Sequence, residues 1–483
     1  MLTQIEIDGF KTFKNFKVEL APFQVIVGPN GSGKSNLFDV LQLLSRLATM
    51  DLYSAFQGLR GNTGEAFTKY PDGQTSERIQ IAVEMLIDRK MRDDLGREFE
   101  IEHTRLRYEL EIAQGIDEDE LDQLYVKREL LKTIAIEEDN WYKRYAKKSP
   151  INAAEEKPIT GRFIFSFVQN GRNSAVLESN HTPSKIEYME NIGDMGLFSE
   201  AIKLETHSFP KALSRTVLSS TAASMRHAIA ARIELSSLKL LHLNPDALRQ
   251  YCSIKAPHAL ASDGSNLPAV LARMQKEDKY VLGDISRDMV NLVPGIHKIR
   301  IEKNKLSDQY IIQARTSDQR SFSSQVLSDG TLRLLALTAL KYDAQFRGVL
   351  CLEEPENGVD PLHLPNMARL LRSMATDFDD PDQLDKPLRQ ILITTHSPAL
   401  ISLPEMIDSL IFALKIAHVE PGKSPLHITR MVPILTSDTP LEKKDDMATE
   451  TYTMNQVRKY LDSGSFDKAR NRLAGRRAIP RER

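Results

Sequence analysis

The sequence predicts an α/β fold with a mostly parallel central sheet, an added antiparallel sheet and inserted helices. Two kinds of strand pattern and a set of helical patterns between them carry this reading. Apolar runs at Phe23–Val27, Val349–Leu352 and Gln390–Thr395 have the composition of strands buried on both faces. By contrast, Phe99–His103 and Leu106–Leu110 alternate apolar and polar residues, as half-exposed strands do. Leucines at helical spacing mark the intervening helices.

From the N-terminal side, the first apolar run opens onto Gly28-Pro29-Asn30-Gly31-Ser32-Gly33-Lys34-Ser35, which fits G-x-x-x-x-G-K-[ST] at every fixed position. Leu37, Leu41, Leu44 and Leu47 follow at helical spacing, so strand, loop and helix come in the order such a loop requires. Glycines let the backbone turn its N–H groups inward, and the helix starting near Lys34 presents its positive end to anions. Asn30, Gly31, Ser32 and Gly33 then form a cradle for the phosphates of a nucleoside triphosphate. Lys34 reaches the β and γ phosphates, and the Ser35 hydroxyl completes the coordination of Mg²⁺.

Further along, Asp117–Lys148 surrounds Leu121, Leu124, Val126, Leu130, Leu131 and Ile134 with mixed charge, which reads as solvated helices. Gly161–Val168 and Ser174–Leu177 flank Asn170-Gly171 and predict a hairpin. Residues 197–243 read as largely helical, ending near His242-Leu243-Asn244-Pro245, with no long heptad array; Asp263–Leu267 begins another helix.

The remaining chemistry lies in the second half. Leu327-Ser328-Asp329-Gly330-Thr331 precedes a leucine-rich helix whose N-terminus can receive an anion. The run Val349–Leu352 ends in Glu353-Glu354-Pro355-Glu356, and carboxylates at a strand's C-terminal end face a ligand crevice. Glu353 is expected to serve Mg²⁺ and Glu354 to polarise the attacking water. Gln390–Thr395 ends at His396-Ser397-Pro398, which makes His396 a third catalytic candidate beside Lys34 and Glu354. The acidic run Asp377–Asp382 reads as a solvated connection.

In this order, the phosphate loop, LSDGT, VLCLEEPE, NGVDP and THS resemble an ABC-type ATPase of the SMC, RecF and OLD-like branch. Ile5–Phe13 and Asn36 resemble that branch as well, and EEPE is the form its OLD-like group favours. The resemblance implies two heads engaging with ATP between the phosphate loop of one and the signature turn of the other. Ser328 and Gly330 would then bind the partner's γ-phosphate, Asn36 would belong to the nucleotide site, Asp360 would lie near the seam and His396 would sense the γ-phosphate. Two positions depart from the usual LSGGQ turn: Asp329 and Thr331 replace glycine and glutamine. A carboxylate at 329 repels a phosphate unless it is paired or caps the helix.

The organisation expected is a first lobe over 1–180 with a charged helical insertion near 113–160, a mainly helical insertion or short arm over 181–275, a second lobe over 276–440, and a helical, basic tail over 441–483. With 483 residues, 41% hydrophobic, the chain can bury one large core with appended pieces, and the absence of a membrane-length apolar run predicts a cytoplasmic protein without a membrane partner. Cys252 and Cys351 lack ligand spacing and read as buried thiols. Arg470, Arg472, Arg476, Arg477, Arg481 and Arg483 make the tail a candidate DNA-binding segment or a solvated terminus. No TOPRIM or HNH pattern follows His396. The expected function is therefore an assembly-dependent ATPase, a homodimer or larger homo-oligomer that controls a separately encoded effector, a nuclease, in anti-phage defence. The alternatives are a RecF-like repair ATPase that binds DNA directly and, less favoured, a transporter's coupling subunit.

Overall fold

The computed structural model describes residues 1–93, 95–116, 122–135, 139–146, 163–169, 175–179, 213–220, 225–304, 307–380, 386–419, 424–435, 452–453 and 457. The chain divides into two compact units. One comprises Met1–Glu19, Val40–Ser237 and Phe378–Leu384, the other Leu20–Asp39, Leu238–Asp377 and Asp385–Arg483. The phosphate loop thus groups with the second half of the chain and not with the rest of 1–180.

The first unit is built on an antiparallel sheet of β1 (Leu2–Asp8), β2 (Phe16–Glu19), β4 (Arg78–Leu86), β7 (Arg105–Ile116), β8 (Asp122–Thr133), β9 (Phe163–Gln169) and β10 (Ala175–Ser179), ordered β10-β9-β8-β7-β4-β1-β2. A separate pair joins β5 (Lys90–Arg92) to β6 (Glu98–Glu100). Helices α2 (Leu52–Gln57), α3 (Asn140–Tyr145) and α4 (Arg226–Ser236) lie in this unit, and the division falls within α1 (Lys34–Leu47). Register turns the alternation of each strand into rows across the sheet. Val18, Ile5, Val83, Tyr108, Leu131 and Phe165 form one row, every member buried. Such cross-strand pairs are the unit of sheet stabilisation.

Of the helices expected between Asp117 and Lys148, α3 is present, but β8 takes the place of helix over Asp122–Thr133. Glu111 pairs with Arg128 and Ile112 with Val126, so Lys127 is an extra, bulged residue. The bulge interrupts the two-residue period and leaves apolar residues at three- and four-residue spacings that imitate a helix. The hairpin expected around Asn170-Gly171 is the β9–β10 pair.

Glu129 stands in the adjoining row, between Leu110 and Phe167, and is fully buried. Its carboxylate accepts hydrogen bonds from Tyr108 Oη at 2.9 Å and from the backbone N–H groups of Val217 at 2.6 Å and Leu218 at 2.9 Å. It thereby ties the loop at Val217–Leu218 to the sheet.

The second unit holds the mostly parallel sheet, ordered β11-β16-β17-β3-β18-β19-β20. These strands are β11 (Lys239–Leu241), β16 (Gly348–Glu353), β17 (Arg389–Thr395), β3 (Phe23–Val27), β18 (Leu410–His418), β19 (Leu426–Leu435) and β20 (Tyr452–Thr453). Pairing is parallel from β11 through β18, and β19 runs antiparallel to β18. A smaller antiparallel sheet comprises β12 (Cys252–Ser253), β13 (Ile296–Asn304), β14 (Gln309–Thr316) and β15 (Ser321–Ser323). The helices of the unit are α5 (Pro245–Leu248), α6 (Leu267–Glu277), α7 (Val281–Leu292), α8 (Asp329–Tyr342), α9 (Leu364–Met374), α10 (Pro398–Ile401) and α11 (Pro404–Ile407).

One core holds this unit together. It joins Val25 and Val27, Leu350 and Leu352, and Ile391 and Ile393 of the central strands to Leu332, Leu335 and Ala336 of α8 and Met367 and Leu371 of α9. Arg389 fixes the far end of α8: its guanidinium donates to the carbonyls of Lys341 at 2.9 Å and Asp343 at 2.8 Å. Neither carbonyl has an intrahelical donor, and that of Asp343 also accepts from Phe346 N at 3.1 Å. Cys252 and Cys351 are buried free thiols.

The fold class is the one expected. Within 181–275, however, α4 gives way to β11, a strand of the central sheet, where helix was expected to continue to Leu243. The tail beyond 440 lies outside the described residues, apart from Tyr452, Thr453 and Val457, and the acidic run is described only to Asp380.

Burial pushes the Glu129 carboxyl up to about 7 against the three hydrogen bonds it accepts. Between the ordinary carboxylate range and pH 7 the folded state keeps a proton that the unfolded chain has lost, so stability falls as pH rises through this window, by about 3 kcal/mol from this group. In Glu129→Gln this component is expected to vanish, read as the difference between the two proteins in urea unfolding from pH 4.5 to 7.5.

Candidate functional site

Parallel pairing places the ends of four strands at one edge of the central sheet. Leu241 of β11 pairs with Leu352 of β16, Glu353 with Thr394 of β17, and Thr395 with Val27 of β3. The residues that follow are His242, Glu354, His396 and Gly28. In an open α/β sheet this carboxyl edge is where ligands bind. A cavity of about 640 Å³ opens there, lined by Asn30, Gly31, Gly33, Lys34, Ser35 and Asn36 on one side and by Glu353, Glu354, Asn357, Arg333 and His242 on another.

The phosphate loop keeps its shape through glycine and a distant strand. Gly33 has φ of +96°, and a Cβ built there would lie 2.0 Å from Thr429 Oγ1, on β19. That hydroxyl donates to Ser32 O at 3.1 Å, so the close approach that requires glycine is also the contact that anchors the loop. Immediately after it, α1 begins at Lys34. The Lys34 ammonium donates to Gly28 O at 2.7 Å and Pro29 O at 2.9 Å. Burial lowers its pKa, against the opposing charges of Glu354, Glu353 and Glu356.

Three carboxylates share the strand end in different environments. Glu353 Oε1 is buried without a hydrogen-bond partner, while its Oε2 lies 3.7 Å from His242 Nδ1. Glu354 has φ of 45°, a left-handed conformation rare for such a residue and concentrated at functional sites. Its Oε1 is 2.5 Å from His396 Nδ1 and its Oε2 accepts from Asn357 Nδ2 at 2.9 Å. Burial alone raises its pKa, but the bonds from Asn357 and His396 and the charges of His396 and Lys34 outweigh burial and hold it below its ordinary value. Glu356 is turned inward against the Thr395 hydroxyl, and burial raises its pKa.

This donor set fits a nucleotide with Mg²⁺. A hard cation takes oxygen ligands and is held by few protein groups beside phosphates and water. Ser35 and Glu353 line one cavity, and the orphaned Glu353 oxygen is a ligand awaiting such a partner. Among the described residues no group of three or more histidine, cysteine or acidic side chains could hold a metal.

The cavity brings together the expected Asn30, Gly31, Gly33, Lys34, Ser35, Asn36, Glu353 and Glu354, with His396 joined to it through Glu354. Ser32 is buried within the loop. Ser328 and Gly330 do not line it. Ser328 is the N-cap of α8, its hydroxyl accepting from Thr331 N at 3.3 Å. A Cβ on Gly330 would lie 2.4 Å from Gly358 O, so this glycine lets the turn pack against the loop Asn357–Asp360. Asp360 caps the following turn by accepting from Leu362 N at 2.9 Å. Asp329 is paired: Arg249 Nη2 contacts its carboxylate and also donates to Leu327 O at 3.2 Å.

Sequence reasoning missed His242, Arg249, Arg333 and Thr429. His242 follows a strand too short to show a period, while Arg333 was visible as the charged residue in a leucine-rich helix. Arg249 and Thr429 carried no motif.

The phosphate loop, the carboxylates and the sheet edge together define an ABC/AAA-type ATPase domain. The chain belongs to the family described as "AAA domain, putative AbiEii toxin, Type IV TA system", whose model matches residues 23–402. Similar solved structures include an SMC head bound to the C-winged helix domain of ScpA, at 11% identity and TM-score 0.46 over 89% of this chain and 97% of that one. Another is the SMC head domain from Thermotoga maritima, at 12% identity and TM-score 0.36 over 90% and 99%. An Smc head with an extended coiled coil, bound to the C-terminal domain of ScpA derived from Pyrococcus furiosus, matches at 11% identity and TM-score 0.42 over 89% and 95%. No curated protein matches the chain. Among the described residues no helix is long and apolar enough to cross a membrane.

Lys34→Ala is expected to lower affinity for ATP with Mg²⁺ by about 100-fold or more, given what charged hydrogen bonds contribute. Titration calorimetry reads this directly; an affinity within threefold of the parent would remove Lys34 from the phosphates. Gly330→Ala is expected to cost about 1–3 kcal/mol of folding stability through overpacking on Gly358, measured by chemical denaturation.

Proposed function

We propose that the protein binds and hydrolyses ATP, that two heads engage around the nucleotide, and that engagement controls a separately encoded effector, a nuclease, in prokaryotic anti-phage defence. The observation that carries the engagement is the separation of Ser328 and Gly330 from their own protomer's cavity. The N-terminus of α8, capped by Ser328, offers backbone N–H groups to an anion, and the phosphate of a second protomer's nucleotide is the ligand of matching charge. The family's description as a toxin of a Type IV toxin–antitoxin system supports a defence setting. The motif order resembles that of the SMC, RecF and OLD-like branch, and EEPE is the form its OLD-like group favours.

The residues divide the work of hydrolysis. Backbone N–H groups of the loop and Lys34 hold the phosphates, and Ser35 and Glu353 would hold Mg²⁺, which would supply charge neutralisation at the phosphate oxygens. Glu354, held ionised by Asn357 and His396, accepts a proton from water as the water oxygen attacks the γ-phosphorus and the bond to the bridging oxygen breaks. ADP and phosphate leave. His396 orients Glu354 and would sense the γ-phosphate.

Glu354→Gln is expected to retain ATP and to double in mass in solution when ATP and Mg²⁺ are added, whereas Ser328→Arg in that background binds ATP and stays monomeric. Light scattering after coexpression with neighbouring genes reads both mass and partner. A nucleotide response without a bound effector, with DNA-stimulated turnover that falls steeply with salt, supports the RecF-like alternative. An unchanged mass rules out engagement.

A further inference from the structure

Arg333 stands one turn into α8 and lines the same cavity as Lys34, Glu353 and Glu354. Its Nε is buried without a hydrogen-bond partner, and among the described residues no carboxylate lies within ion-pairing distance of its guanidinium. A buried donor left unpaired is costly, and in a native fold it calls for a specific explanation. The other charged groups of the cavity already have a partner or a role at the site. Lys34 donates to loop carbonyls, Glu354 is bonded to His396 and Asn357, and Glu353 faces the place of the cation. The guanidinium remains, a planar fork suited to two oxygens of one phosphate.

We infer that Arg333 binds the terminal phosphate of the nucleotide held by its own protomer's loop, so that α8 senses directly whether a triphosphate is present. This rests on the reading of the cavity as an ATP site. The loop's N–H groups take the inner phosphates. The terminal one lies toward Glu354, which takes the proton of the attacking water, and Arg333 lines the same cavity. ADP lacks this group. The same helix begins at the signature turn, about 7–8 Å along its axis from Arg333 at 1.5 Å per residue. A triphosphate gripped by Arg333 therefore fixes the orientation of the helix whose N-terminus meets the second protomer's nucleotide. Each head becomes competent to cap its partner's ATP only when it holds its own.

The test measures equilibrium binding of ATP and of ADP, each with Mg²⁺, to the full-length Glu354→Gln protein and to its Arg333→Met and Arg333→Lys derivatives. Arg333→Met keeps the stem and removes the charge. ATP affinity is expected to fall about tenfold or more in Arg333→Met and to recover in part in Arg333→Lys, with ADP affinity held within about twofold in both. Assembly should then need correspondingly more ATP. Unchanged affinity for both nucleotides overturns the inference, as does an equal loss for both, which marks an inner-phosphate contact or damage to the fold. If Arg333→Met does not fold, the ATP-to-ADP ratio of Arg333→Lys decides by the same criterion. A Glu354→Gln protein that binds neither nucleotide overturns the ATP reading itself and this inference with it.

Discussion

The parallel pairing of β16 with β17 and of β17 with β3 is the constraint on which the rest depends. Strands in a parallel sheet need long crossovers, so neighbours in space come from distant parts of the chain. Here the crossovers bring Gly28, His242, Glu354 and His396 to one edge, each immediately following a strand whose register is fixed by its neighbour. A one-residue slip of β16 would shift Glu353 and Glu354 along the edge and turn their side chains to opposite faces. The continuous apolar composition of the three strands matches their burial along nearly their whole length.

Charge is the second organising problem. A cavity that accepts phosphates must also hold carboxylates, and each carboxylate here has its own solution. Glu356 turns inward to a threonine hydroxyl, Glu354 is clasped by an asparagine and a histidine, and Glu353 keeps one oxygen bare. Asp329, the residue that most disturbs the usual signature turn, is answered by Arg249 at the end of α5. That pairing resolves the expected repulsion: the turn presents a carboxylate already neutralised by a guanidinium that also holds the Leu327 carbonyl.

The α/β class, the phosphate loop, the signature helix and the carboxylates after β16 were legible because each rests on a local pattern. Gly28–Ser35 is a contiguous motif, and Val349–Glu354 joins an apolar run to its acids. The middle of the chain was less legible. A single bulged residue, Lys127, made β8 read as helix, and β11 is only Lys239–Leu241, shorter than any period can reveal. The membership of the phosphate loop in the second unit was hidden because it is decided by pairing over hundreds of residues. Arg249 was hidden for the same reason, and Arg333, though visible as a charge in a leucine-rich helix, gave no sign of what it faces. Nothing near them in sequence indicates that one meets Asp329 and the other enters the cavity.

The hold of Thr429 on Ser32 and Gly33 has a consequence for biosynthesis. The two partners of this contact are separated by 397 residues, which a ribosome adding about 5–20 residues per second takes roughly 20–80 s to traverse. Throughout that interval the glycine-rich loop has emerged without the strand that braces it. A nascent chain therefore carries the nucleotide motif long before it carries the strand that braces it.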